Sequence, residues 1–283
     1  MALSKLSGDE QGIILGQLRN TLEPRLAMYF SSANKELRAL LTPAVRQQLR
    51  TDYEAATALC LKVGMSCKEL REAWDIDWRD KGLSAADLAT LATLGSLLPA
   101  LKYLFLAEYS GSAGPNVLQL ADGLVAGALP ALRMLSISGM HVGDAGAVAL
   151  AAALDRGALP RLWCLHLTHA AIGDAALAAL APALRRRPAM KILTLGFNPL
   201  GDEGLAALMP PPPLAGTPPP AGGLKQLKGL YLNSTQITDA GCATLVAALD
   251  SGALPALEEL RLDGIPASAG ATDAVSEALA KRK

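Results

Sequence analysis

The segment LRMLSISGMHVGDAGAVALAAALDRGALP, residues 132–160, contains the pattern that decides the fold. The same frame returns as LWCLHLTHAAIGDAALAALAPALRRRP at 162–188 and as LKGLYLNSTQITDAGCATLVAALDSGALP at 227–255. Each copy has three apolar residues spaced LxxLxL, a β-branched residue, an Asp two positions later, a stretch rich in Leu and Ala, and a closing Pro. A frame that recurs about every 30 residues indicates a solenoid of stacked repeats.

The frame extends in both directions, with copies starting at residues 73, 101, 132, 162, 190, 227 and 257. The first copy is degenerate. When its Leu83 is aligned with Ile172, Ile76 and Trp78 fall on the buried strand positions. The sequence therefore predicts about seven repeats over residues 73–283.

Each part of the frame predicts one local structure. The LxL alternation predicts a short strand with one buried face. Four aspartates stand directly before the Ala-rich stretches, where we expect each to cap the helix that follows it; they are Asp144, Asp174, Asp202 and Asp239. Leucines spaced four apart, such as Leu150 and Leu154, predict one inward helix face. The Gly-Ala-Leu-Pro run is expected to end the helix.

Residues 73–283 resemble leucine-rich repeats of the ribonuclease-inhibitor-like subclass. The resemblance implies an α/β horseshoe, with parallel strands on the concave face and helices outside. The family's Asn or Cys after the strand is present only as Asn198, and the other copies have Tyr109, Met140, Ala170, Thr235 and Ile265. We therefore expect the polar ladder, the row of side chains after the strands that hydrogen-bond one repeat to the next, to be patchy.

Residues 1–72 do not fit the frame and are expected to form helices at 8–20, 25–41, 44–63 and 66–72, with a stop at Pro43. Two interpretations are open. One is a plain helical cap over the first repeat. The other is a weak resemblance to an F-box, which implies that Leu15, Leu18 and Pro24 contact a cullin-ligase adaptor. The matching positions are Leu6, Asp9, Glu10, Ile14, Leu15, Leu18, Pro24, Arg25, Ser31, Ser32, Leu37 and Leu40.

The segment MPPPPLAGTPPPAGG, residues 209–223, lengthens one repeat. Runs of proline block helix formation and favour extended polyproline conformation. The segment is interpreted either as a solvated insertion on the convex side or as a ligand for a polyproline-binding domain.

Composition argues against several classes of function. The sequence has 26 Lys and Arg against 26 Asp and Glu, so we expect no nucleic-acid partner. The four cysteines form no CxxC pair, which argues against a zinc site. Charges interrupt the first thirty residues, so neither a signal peptide nor a membrane span is expected. A cytoplasmic location follows, with the nucleus as the alternative.

No catalytic motif stands out, and we expect neither a cofactor nor a metal. The glycine-rich phosphate loop, GxSxG and HExxH are all missing from the sequence. Cys164 and His166 resemble a nucleophile and its base because residues two apart on a strand share a face. The sequence offers no orienting Asp, so the favoured interpretation is that both residues are merely exposed on the surface.

Strand residues between the buried leucines must face away from the helices and form what we call the concave face. Its aromatic members Tyr103, Phe105 and Tyr231 are typical of binding hot spots. The middle is neutral and mildly apolar, and the ends are charged. We expect a protein-binding site made of Asp75, Asp77, Tyr103, Phe105, Met134, Ser136, Cys164, His166, Ile192, Thr194, Tyr231, Glu259 and Arg261.

The expected function is that of a non-catalytic scaffold for a protein partner, either in general or as an F-box-like substrate receptor. A regulator similar to Ran GTPase activators is an alternative, although the turns at 141–143, 171–173 and 199–201 lack the arginine that those activators use. A structural part of a ciliary or cytoskeletal assembly is another.

Overall fold

The computed structural model describes residues 21–22, 41–109, 116–209 and 223–282. The helices predicted at 8–20 and 25–41 lie outside these ranges except for Leu41, and so do the F-box-like positions. Residues 210–222 of the proline-rich segment also lie outside them.

Within residues 41–74, two helices precede the first strand, α1 (Pro43–Val63) and α2 (Cys67–Glu72). They confirm the helices predicted at 44–63 and 66–72, and Pro43 occupies the first turn of α1. The strands are β1 (Asp75–Asp77), β2 (Tyr103–Phe105), β3 (Met134–Ser136), β4 (Cys164–His166), β5 (Ile192–Thr194), β6 (Gly229–Tyr231) and β7 (Glu259–Arg261). The repeat helices are α3 (Ala85–Leu94), α4 (Leu118–Gly123), α5 (Gly143–Asp155), α6 (Asp174–Arg185), α7 (Asp202–Leu208), α8 (Asp239–Asp250) and α9 (Ala269–Ala280). Within the described ranges, no helix combines the length and apolarity needed to cross a membrane.

All seven strands form one parallel sheet in sequence order, β1 to β7. Each strand begins two residues after a predicted repeat start, and this holds for the degenerate first copy and for the long fifth repeat as well. The register has no shifts. Ile76 pairs with Leu104, Leu104 with Leu135, and the central residues continue in this way to Leu260. The α/β leucine-rich-repeat solenoid expected from the sequence is confirmed.

The core is a stack of leucines between the strands and the helices. The middle residue of each inner strand is at most 1% exposed, as are its helix partners such as Leu180 and Leu245. Full burial of one leucine side chain contributes about 2 kcal/mol to folding. Because one repeat cannot cover its own leucines, this contribution requires the neighbouring repeats.

The degenerate first repeat joins the same core. Ile76 and Trp78 are 1% and 2% exposed, as their alignment predicted. Helices α1 and α2 add Leu59 and Leu70 to this continuous apolar cluster. On the surface, Lys62 of α1 forms a salt bridge of 2.6 Å with Asp87 of α3.

The four aspartates do not cap their own helices, and this prediction is wrong. The capping residues are Val142, Gly173, Gly201 and Thr238, and each aspartate lies inside the first turn. Three of the carboxylates instead accept hydrogen bonds from the helix start of the following repeat: Asp174 from Gly201, Asp202 from Thr238 and Asp239 from Ser268. Asp174, Asp202 and Asp239 are the first residues of their helices rather than the residues before them, and the next repeat brings a helix-start amide alongside each carboxylate.

The polar ladder after the strands is patchy, as expected. The buried Asn198 Oδ1 accepts hydrogen bonds from the amides of Ala170 and Ile172 in the preceding repeat. Its Nδ2 donates to the carbonyl oxygens of Leu167, Leu195 and Gly196. At the equivalent position of the next repeat, the Thr235 hydroxyl donates only to the carbonyl of Leu232.

Arginines stabilise the carboxyl ends of the helices across repeat boundaries. Arg187 follows α6 and donates to carbonyl oxygens of Leu154 and Ala158, at the end of the preceding helix α5. Arg156 bonds in the same way to Leu124, and Arg282 to Leu254. A cation near helix C-terminal carbonyls is favourable because of the helix dipole. Within the run at 185–187, Arg187 thus contacts the preceding repeat, while Arg185 donates to the carbonyl oxygen of Ala207 in the following one.

Candidate functional site

The concave face consists of two columns of side chains that run across all seven strands. In-register pairing aligns the first residue of each strand with the first residue of the next, and likewise the third. The first column is Asp75, Tyr103, Met134, Cys164, Ile192, Gly229 and Glu259. The second column is Asp77, Phe105, Ser136, His166, Thr194, Tyr231 and Arg261. Every predicted site residue thus lies on the predicted face.

Burial divides these residues into accessible and covered positions. Asp75, Asp77 and Arg261 are exposed, and seven others are half-buried, among them all three aromatic residues. Ser136, Cys164 and Thr194 are only 7%, 0% and 8% exposed, so a partner cannot reach them. The prediction that Cys164 is exposed is therefore wrong. Its short side chain lies in the column between the longer side chains of Met134 and Ile192.

The Cys164 and His166 pair does not have the properties of a nucleophile and base. The two side chains are 3.0 Å apart, from Sγ to Nε2. Burial raises the pKa of the Cys164 thiol to about 12 and lowers the pKa of His166. Both shifts favour the neutral forms, whereas a catalytic thiol requires the thiolate. This pair is a partly buried polar contact.

The end of the concave face at β1 and β2 is aromatic, and an arginine partly neutralises its negative charge. Trp74 precedes β1, is 58% exposed and packs edge-on against Tyr103, with ring centroids 6.0 Å apart. Arg79 makes a bidentate ion pair with Asp77, with its Nε 2.9 Å from Oδ1, and lies over the Phe105 ring at 5.6 Å. The hydrogen bond from Arg79 lowers the pKa of Asp77. Trp74 and Arg79 were missed because they lie just outside the strand pattern.

At the other end, Tyr231 lies across the bare backbone of Gly229. A Cβ atom on Gly229 would stand 2.9 Å from Cε2 of the Tyr231 ring, so the ring occupies the space that a side chain would need. The Tyr231 hydroxyl donates a hydrogen bond of 2.6 Å to Glu259, whose other oxygen accepts from Arg261. The hydrogen bond raises the pKa of Tyr231 and lowers that of Glu259. The tyrosine is therefore held in place before any partner binds.

A second aromatic group lies on the loops that follow the strands. His169 and Phe197 occupy the same position in successive repeats and stack with ring centroids 4.4 Å apart. Both have left-handed backbone, with φ of 54° and 57°. Phe197 is 46% exposed, and Tyr109 at the second repeat is 57% exposed. The strand pattern does not single out these loop positions as binding residues, so the predicted site did not include them.

Within the part of the chain that the structure describes, no cluster of three or more His, Cys, Asp or Glu side chains is placed to hold a metal ion. What the described face offers is aromatic and charged side chains at defined spacings.

Known proteins similar to this chain include a family of short repeats and a solved structure. The family model described as Leucine Rich repeat matches residues 189–209, which include β5 and α7. No match is found among curated proteins. Among solved structures, an internalin (inlF) from Listeria monocytogenes aligns at 17% identity with a TM-score of 0.36; the alignment covers 78% of this chain and 62% of that chain. The repeat frame, the seven-stranded parallel register and the match at residues 189–209 identify the fold as a leucine-rich-repeat solenoid.

Proposed function

We propose that the protein is a non-catalytic scaffold that binds a protein partner on its concave face. The observation that carries this proposal is the arrangement of Tyr103, Phe105 and Tyr231, which are accessible on a sheet whose register fixes their spacing. Tyrosine and phenylalanine in such positions supply a large contact area with few rotatable bonds.

The dimensions and the rigidity of the face suit this function. Seven strands spaced by about 4.8 Å span nearly 30 Å, enough for an interface of about 800 Å² on each partner. Each aromatic side chain has an intramolecular contact that holds it: Trp74 for Tyr103, Arg79 for Phe105 and Glu259 for Tyr231. Side chains that are ordered before binding lose less conformational entropy in the complex.

The test is an affinity pull-down from a cell extract, quantified by mass spectrometry. The combined variant Tyr103→Ala, Phe105→Ala and Tyr231→Ala is compared with the wild type. The matched control removes three exposed apolar side chains from helices, as Tyr53→Ala, Leu61→Ala and Val148→Ala. We expect partners that the control retains and the aromatic variant loses. Equal retention by both variants would refute a site on the concave face.

A narrower form of the proposal makes the protein the substrate receptor of a cullin ubiquitin ligase. It rests on the F-box-like sequence alone, and the proposed adaptor contacts are Leu15, Leu18 and Pro24. The double variant Leu15→Asp and Leu18→Asp is expected to lose a cullin adaptor from the pull-down and to keep the concave-face partners. If the wild type captures no adaptor, the narrower form fails and the scaffold proposal stands.

A further inference from the structure

A third column of side chains runs along the amino-terminal edge of the sheet. Its members directly precede the strands and are joined by a ladder of backbone hydrogen bonds, such as Arg133 N to Lys102 O and Lys191 N to Trp163 O. The ladder continues from Lys191 through Lys228 to Glu258. The complete column is Trp74, Lys102, Arg133, Trp163, Lys191, Lys228 and Glu258.

This column concentrates positive charge that the overall composition conceals. Four of its seven members are cations, which we call the basic stripe: Lys102, Arg133, Lys191 and Lys228. All four are exposed. Lys228 pairs with Glu258 at 2.7 Å, while the other three form no ion pair with any described residue. The equal totals of Lys and Arg and of Asp and Glu therefore do not mean that every surface is neutral.

The basic stripe borders the accessible apolar side chains of the first column. Tyr103, Met134 and Ile192 belong to the strands that directly follow stripe residues, and all three are half-buried. The edge contact between Trp74 and Tyr103 shows that side chains of the two columns lie close enough to touch. A ligand along this edge meets cations on one side and apolar groups on the other.

We propose that the basic stripe and the first column together bind an acidic peptide segment in which Asp or Glu residues alternate with apolar residues. This inference rests on the proposed function and adds the chemistry of the partner. In an extended peptide, successive side chains point to opposite sides, so carboxylates can face the stripe while apolar groups face the column. From Lys102 to Lys228 is four strand spacings, or about 19 Å, which about six extended residues can span.

The charges at the two ends favour a short acidic segment over a long polyanion. Beyond the stripe the face carries Asp75 and Asp77 at one end and Glu258 and Glu259 at the other. A nucleic-acid strand that continued past the stripe would bring phosphates against these carboxylates, and its affinity depends on many neutralised phosphates. A peptide can confine its negative charge to the length of the stripe.

The experiment selects a random 12-residue peptide library on the immobilised full-length protein and sequences the bound peptides. We expect enrichment of Asp and Glu alternating with Leu, Ile, Val or Phe. The best peptide is then synthesised with a fluorescent label and titrated by anisotropy. The variant Lys102→Glu, Arg133→Glu and Lys191→Glu is expected to bind it at least about tenfold more weakly, because each substitution replaces an attraction to a peptide carboxylate with a repulsion.

The matched control reverses the charge of three exposed cations that lie away from the sheet, as Arg46→Glu, Arg50→Glu and Lys68→Glu. This control is expected to bind the peptide as tightly as the wild type does. Thermal melts establish that both variants are folded. No enrichment, enriched peptides that are not acidic, or acidic peptides that bind both variants equally would overturn the inference. The alternative outcome is that a labelled single-stranded 20-nucleotide probe binds more tightly than the best peptide and loses this binding in the stripe variant. That result would replace the peptide inference with nucleic-acid binding. In each of these cases the scaffold proposal still stands if a partner is lost from the Tyr103→Ala, Phe105→Ala and Tyr231→Ala variant but is retained by the stripe variant.

Discussion

Asp174 accepts a hydrogen bond of 2.6 Å from the backbone amide of Gly201, so a side chain of one repeat caps the helix of the next. The same Oδ1 atom also accepts from the amide of Gly204, at 2.9 Å. Amides of the first helical turn lack partners in their own helix, and a carboxylate is favourable there because of the helix dipole. Helix capping and repeat stacking are therefore the same interaction in this part of the chain.

Asp174→Ala is predicted to lower the free energy of unfolding by about 1.5 kcal/mol, because two helix-start amides lose their acceptor. Urea denaturation measures this change. The control is Asp144→Ala, since Asp144 makes no hydrogen bond with the described residues and its loss should change stability little. Hydrogen exchange should quicken at Gly201 and Gly204. Faster exchange at the start of α6 alone would contradict capping across the repeats.

Asn198→Ala is predicted to lower the free energy of unfolding by about 3 kcal/mol, since it leaves buried amides and carbonyls without partners. Thr235→Val, at the equivalent position of the next repeat, removes a single hydrogen bond and should cost only about 1 kcal/mol. Chemical denaturation of both variants provides the comparison. Equal losses would mean that the hydrogen bonds of Asn198 do not tie the two repeats together.

Cys164 is predicted to resist alkylation in the folded protein. Its thiol is 0% exposed, and burial raises its pKa to about 12, so the reactive thiolate is scarce at neutral pH. Iodoacetamide labelling followed by mass spectrometry should modify the half-buried Cys67 first and Cys164 only after denaturant is added. Labelling of native Cys164 as fast as that of the unfolded chain would show that the thiol is exposed.

His166 is predicted to make the fold less stable in mild acid. Burial lowers its pKa below the ordinary 6.5, so the unfolded chain takes up a proton before the folded protein does. The contribution of neutral His166 to the free energy of unfolding is therefore complete above pH 6.5. It is lost as the pH falls through the lower pKa of the folded state.

Urea midpoints at about pH 7.5 and about pH 5.5 test this prediction, because the ordinary histidine pKa lies between them. The wild type should lose more stability than His166→Gln over this interval. An identical loss in His166→Gln would exclude His166 as the source.

Gly229→Ala is predicted to weaken partner binding by about fivefold, which corresponds to about 1 kcal/mol. The added methyl group would stand 2.9 Å from the Tyr231 ring and force it away from Glu259. The pull-down described above measures retention of the partner. Gly270→Ala is the control because open space surrounds Gly270. Full retention in Gly229→Ala would show that the position of Tyr231 does not matter for binding.

The repeat frame and the composition of the concave face could be predicted from the sequence. Strand residues alternate between two faces, so Leu104 and Leu135 in the core place Tyr103 and Met134 outside without any knowledge of distant contacts. The alignment of Leu83 with Ile172 likewise placed Ile76 and Trp78 in the core of a repeat that lacks the leucine pattern. Local periodicity is sufficient wherever a residue's position depends on its own strand.

Contacts between repeats could not be predicted in this way, because their atoms lie about thirty residues apart in the chain. The acceptor role of Asp174 toward Gly201 depends on how closely two helix starts approach. Cys164 is buried at a place between two neighbouring strands, where Met134 and Ile192 stand beside it in the column. The basic stripe likewise exists only because stacking brings cations from four repeats into one column, whereas the sequence alone shows equal numbers of positive and negative side chains.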